Sequence, residues 1–232
     1  MEKLSNVSAY KLFILPGRCP AGFEHISFHN EVYAFWKQFW ASVFKENNTP
    51  SAPDANIFYR QDFVGVVTKE EKIVGTVFFT ENNLASDVVS EIGYFSRPYV
   101  NEFSQRMRRD KIHTLSTLEM LTVAPEFRKK VAGISFGTVL IGIVMEAFKA
   151  SGAEIIFGPV RTDNGADKLL IDFGWKLISD VYSMHGTPVA LSALFRDDLK
   201  ASESSLHQKL VEDLWHNRMD LRKSDLRMLK AA

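Results

Sequence analysis

The chain has 232 residues, 46% hydrophobic and 24% charged, with a formal net charge of zero. That length suffices for one large domain, or for one domain with an added element, and the balanced charge leaves no field to gather nucleic acid or a membrane surface. A lone Cys19 excludes an internal disulfide and fits a reducing compartment, so a cytoplasmic protein is expected. No membrane span is expected either: the longest apolar run, Phe136 to Phe148, carries Glu146, and the N-terminal apolar run is too short for a secretory core.

Tyr10–Leu15 reads as a short buried strand closed by Pro16-Gly17. From Phe28 the apolar residues 28, 32, 35, 36, 39, 40, 43 and 44 mark one face of a helix ending near Lys45. Asn47–Asn56 is a loop of turn formers, and two β-branched runs around Lys69-Glu70-Glu71-Lys72 predict a hairpin. Glu81–Thr114 is a long segment with weak helical pattern and a basic cluster at Arg106–Lys111. Ser116–Val123 is a strand stopped by Ala124-Pro125, and a helix is expected over Gly133–Ala150, ended by Ser151-Gly152. Another strand covers Glu154–Val160, and Asp163 or Asn164 caps a helix running to Phe173, with Gly174 as its stop. A second hairpin, Trp175–Met184 with Val189–Phe195, turns through His185–Pro188, and Ser204–Leu229 is expected as one long amphipathic helix. The fold class is therefore α/β, a mixed sheet flanked by helices, with a domain over 1–198 and a C-terminal helical extension over 199–232.

Gly133-Ile134-Ser135-Phe136-Gly137 matches the G-x-S-x-G elbow that presents a nucleophilic serine. The surroundings reject that reading, because nine polar-rich residues, Ala124 to Ala132, separate the preceding strand from Gly133 where an elbow follows its strand almost directly. The same residues suit an anion cradle: Arg128, Lys129 and Lys130 feed a helix whose first backbone amides lack internal partners. Gly133 allows close approach of a diphosphate. The plainer alternative is a solvated basic loop capping an ordinary helix.

Two blocks, "LEMLTVAPEFRKKVAGISFGTVLIGIVMEAF" and "DNGADKLLIDFGWKLI", resemble the GCN5-related N-acetyltransferase superfamily, and the likeness spans roughly Tyr10 to Phe195. Val123-x-Pro125, Arg128, and Lys130-x-x-Gly133-x-Ser135 match its strand-loop-helix pattern, while Ala166, Gly174 and Trp175 match its second block. The resemblance implies a mostly antiparallel central sheet and acyl transfer from acetyl-CoA or another acyl-CoA to an amine, with no metal. It implies backbone contacts to the pantetheine arm from Leu121 and Val123. The diphosphate would lie on Arg128, Lys129, Lys130, Val131, Ala132, Gly133, Ile134 and Ser135, with Asp163 or Asn164 at the family's asparagine. The tyrosine that often protonates the leaving thiolate falls on Leu170, which leaves the general acid open, Tyr182 being one substitute.

Strand alternation puts Glu119 on one face with Leu121 and Val123, where burial would raise its pKa toward that of a general base. Equally, Glu119 pairs with a basic residue or faces solvent. The aromatic helix lines a pocket for a bulky or long acyl chain, as in an N-acyl amino acid synthase, or is plain core. The arginine cluster suits an acidic acyl carrier protein or is a solvated face. His25 and His29 lack a further ligand at metal-binding spacing. The acceptor is expected to be a small-molecule amine or amino acid, and the terminal helix either folds onto the domain or packs against a second copy as a homodimer. A non-catalytic binding domain of the same fold is the reading outside enzymes.

Overall fold

The computed structural model describes residues 9–49, 52–199 and 205–222. Strands β1 (Tyr10–Leu15), β2 (Phe63–Lys69), β3 (Lys72–Asn83), β4 (Thr114–Val123) and β5 (Ile155–Arg161) form where β-branched and aromatic runs predict them. After them come β6 (Lys176–Leu177), β7 (Tyr182–Met184), β8 (Thr187–Phe195) and β9 (Met219–Asp220). They make one sheet in the order β6-β8-β5-β4-β3-β2-β1-β9, with β7 also on β8. Only β4–β5 and β1–β9 run parallel among the described residues, so the sheet is mixed and mostly antiparallel as expected. The second hairpin departs in detail, because its first strand is split. Ser179 Oγ accepts from the Leu191 amide at 2.8 Å, taking the place of a main-chain carbonyl in the ladder.

Helix α5 (Phe136–Ala150) is the crossover between parallel β4 and β5. It is buried nearly all round, through Val139, Leu140, Ile143, Val144 and Phe148, because the sheet covers one side and helix α7 (Ser205–His216) the other. The terminal helix is shorter than expected. It ends at His216, where Asn217 donates its backbone and side-chain amides to the Asp213 carbonyl (3.1 and 2.9 Å), and β9 then pairs with β1. The rest of the expected helix, beyond residue 222, lies outside the described residues. Leu210, Val211 and Leu214 are buried in the core, so the stripe proposed for a second copy is occupied by the domain itself.

The opposite face carries α1 (Ile26–Glu46), α2 (Ala55–Tyr59), α3 (Asp87–Glu91) and α4 (Pro98–Arg109). Part of the aromatic stripe of α1 is core: Trp36 lies 5.7 and 5.6 Å from the rings of Phe58 and Phe78, and Phe44 is buried, while Phe28, Tyr33, Phe35, Phe39 and Trp40 are half-buried. The long segment after the first hairpin is not a loop. Val100, Phe103 and Met107 bury one face of α4 against Leu115 and Phe157, and the basic cluster ends that helix. No helix among the described residues is long and apolar enough to cross a membrane.

Candidate active site

Strands β4 and β5 pair over three residues only, from Leu115↔Ile155 to Thr117↔Phe157. Beyond that they part. Pro159 has no amide to bridge the gap, and Met120, at φ 51, starts a bulge in β4. Leu118–Val123 keeps β3 as its neighbour on the other side, and its edge toward β5 has no partner strand among the described residues.

The bulge also decides which way side chains face. Phe78 opposes Glu119 and Thr76 opposes Thr122, leaving two β4 residues against Val77 alone. Thr122 Oγ1 donates to the Met120 carbonyl at 2.9 Å and accepts from Trp40 Nε1 at 3.0 Å, which ties the distortion to α1. The expected shared face is therefore corrected. Leu118, Leu121 and Val123 pack with the α5 core, while Glu119 turns to the other side with Thr117.

There Glu119 is 6% exposed and forms an ion pair with Arg60, while Thr117 Oγ1 donates to its Oε1 at 3.1 Å. The basic-partner alternative thus describes its resting state. The Arg60 guanidinium lies 4.7 Å from the Tyr94 ring centre and Arg97 lies 5.4 Å from it. Tyr94 is 3% exposed, its hydroxyl has no hydrogen-bond partner among the described residues, and burial, then the Glu119 carboxylate, pushes its pKa well up. Tyr182 stacks on Tyr99 at 4.2 Å and is raised by burial. His185 stacks on Phe44 at 4.5 Å and is lowered by burial and by Arg97.

The loop leading to α5 differs from expectation. Ala132 (φ 51) and Gly133 (φ 84) are left-handed, which no helical residue can be, so Val131–Ile134 forms a tight turn closed by two mutual hydrogen bonds of 3.0 and 2.9 Å. The helix starts at Phe136, and Ser135 is its N-cap, accepting from the Thr138 amide. Lys129 and Lys130 are exposed and make no ion pair among the described residues, whereas Arg128 lies 5.0 Å from the Phe39 ring centre and donates to the Val123 carbonyl. The Ser135 amide is already taken: it donates to His207 Nε2 of α7 at 2.8 Å. His207 Nδ1 has no hydrogen-bond partner among the described residues, and Nε2 is engaged by the Ser135 amide rather than its hydroxyl, so no serine triad forms among the described residues.

Burial, and then nearby Lys130, lower the His207 pKa, which keeps Nε2 free to accept. A depressed imidazole stabilises the fold above its ordinary pKa of about 6.5, and that contribution disappears as pH falls through the folded value. Thermal stability should therefore fall on acidification more steeply in the wild type than in His207→Gln, whose amide oxygen accepts at any pH. His185 contributes with the same sign to both proteins, so the difference isolates His207. Equal slopes would remove this role.

Asp163 is held by a bidentate pair with Arg161 (2.9 and 2.8 Å), which lowers its pKa, and Asn164 Oδ1 accepts the Ala166 amide at 3.1 Å at the start of α6 (Ala166–Asp172). Leu170 is buried core. Arg60, Tyr94, Arg97 and His207 are not legible as site residues in the sequence, whereas Trp40 belongs to the aromatic stripe that the sequence offers either as pocket lining or as core. Arg60 lies 59 positions from Glu119, and no local spacing joins them.

No family model and no curated protein matches this sequence. Solved structures do. FeeM, an N-acyl amino acid synthase from uncultured soil microbes, is similar with a TM-score of 0.56 and 13% identity, over 82% of this chain and 93% of that one. BjaI, a CoA-dependent acyl-homoserine lactone synthase solved with SAM and isopentyl-CoA, is similar at 0.54 and 7% identity, covering 91% and 93%. The polyamine N-acetyltransferase of Drosophila melanogaster gives 0.52 and 13%, covering 80% and 99%. At these identities the likeness is one of fold. The chain shares the fold of these acyltransferases, an α/β fold with a mixed, mostly antiparallel sheet flanked by helices, as the two sequence blocks implied.

Proposed function

We propose that the protein is an N-acyltransferase that moves an acyl group from a coenzyme A thioester to a primary amine by direct attack. The observation that carries this reading is the parting of β4 from β5 with a buried, ion-paired carboxylate, Glu119, at the bend. The acyltransferases sharing the fold support it.

The amine nitrogen attacks the thioester carbonyl, a C–N bond forms and the C–S bond breaks. Glu119 takes the amine's proton directly or through water, while Arg60 and Thr117 keep the carboxylate aimed. A thiol of pKa about 8.5 leaves well enough as thiolate to take its proton from solvent, so the leucine at 170 does not block the reaction. The free edge at Leu121 and Val123 would hold the pantetheine arm. Lys129, Lys130 and the exposed Ala132-Gly133 turn would hold the diphosphate. A diphosphate reaching as far as Ser135 must displace His207 from its amide.

The test is thiol release from acetyl-CoA and palmitoyl-CoA in the presence of mixed amines, with mass analysis of products. Amine-dependent release and an amide product are expected. Release without amine would instead indicate a hydrolase, and absence of both binding and release a non-catalytic domain.

A further inference from the structure

We propose that Arg97 anchors the carboxylate of the acceptor, so that the substrate is an amino acid or a comparably carboxylated amine rather than a simple amine or polyamine. This deepens the acyl-transfer reading and rests on it.

The charges around Glu119 do not balance. Arg60 neutralises Glu119, which leaves Arg97, half-buried on the same Tyr94 ring, without an acidic partner among the described residues. Among the described residues its guanidinium makes one weak hydrogen bond, from Nη1 to Met184 Sδ at 3.6 Å. The titratable groups that face it are neutral: Tyr94 and Tyr182, both raised, and His185, lowered. One net positive charge therefore stands on the Tyr94 ring, which also carries the Arg60 of the Glu119 ion pair. Arg97 also precedes the first residue of α4, a helix of 12 residues with Pro98 at its start and no acidic residue in its first turn, so the helix dipole adds to that charge.

A half-buried guanidinium with no counter-charge is costly to keep unless a ligand supplies one. Its planar fork matches a carboxylate in two hydrogen bonds. The buried Tyr94 hydroxyl, with no hydrogen-bond partner among the described residues, is an unused donor on the ring the two arginines share. A polyamine would bring more positive charge to an already positive site.

The test compares each amino acid with its decarboxylated amine as acceptor, using whichever of acetyl-CoA or palmitoyl-CoA supports release: phenylalanine with phenethylamine, histidine with histamine, lysine with cadaverine. The wild type should prefer an amino acid by about 10- to 100-fold in kcat/KM, the range of a hydrogen bond to a charged group. Arg97→Gln should raise KM for the amino acid by a similar factor, leave kcat nearly unchanged, and spare the amine. Arg97→Lys should fall between. Equal efficiency within every wild-type pair would overturn the proposal without needing any variant to fold, as would an Arg97→Gln effect equal on both members. If no acceptor supports release, the acyl-transfer reading fails first, and this one with it.

Discussion

Replacing Glu119 with glutamine should lower kcat by about 10²- to 10⁴-fold, the usual contribution of a positioned general base, while the fold survives. Glutamine keeps the length of the side chain, and its carbonyl oxygen still accepts from Thr117 or Arg60. It has no basic oxygen for the amine's proton. The side chain of Arg60 is 22% exposed, against 5% for Glu119, so water can solvate the cation when its partner is neutralised. The measurement is kcat for amide formation, with circular dichroism and a melting curve on the same preparation. A variant melting near the wild type with kcat within threefold would remove Glu119 from the chemistry.

The second large effect is structural and lies where β4 and β5 separate. A Cβ on Gly158 would stand 2.2 Å from the Leu118 carbonyl oxygen, with Leu118 C at 3.3 Å. The obstacle is backbone, which cannot rotate away as a side chain can. Gly158→Ala must push β4 from β5 next to Glu119, at a cost of about 3 kcal/mol. In a chain of this size that lowers Tm by roughly 6–12 °C. Gly152→Ala is the control, because nothing lies within 4 Å of its added carbon, and it should melt within a degree or two of the wild type. If both variants melt alike, the close approach at Gly158 does not limit the separation.

Much of the fold is legible in the sequence, and each departure from it has a particular physical cause. The spacing of Val100, Phe103 and Met107 after Pro98 is helical, yet it lay inside a polar stretch where the pattern was weak. Helix α5 was expected three residues early because apolar periodicity does not report φ, and Ala132 in the left-handed region carries no sign in its side chain. The same holds for Met120, whose positive φ reversed the expected facing of Leu121 and Val123 relative to Glu119. For the terminal helix, the Leu206–Leu210–Leu214 stripe predicted a helix correctly but not its end or the surface it covers.

Strands β1 to β5, helices α1, α5 and α6 and the basic, glycine-bearing loop before α5 are legible in sequence order, because periodicity and turn chemistry act over a few neighbouring residues; α2, α3, α4, β9 and the break between β6 and β7 are not. Only the tertiary structure decided what touches Glu119, which way it faces, and that His207 holds the Ser135 amide. Those contacts join residues 59 and 72 positions apart, and they depend on a bulge and on helix docking. Local propensity does not encode such pairings; they arise when packing brings distant segments together.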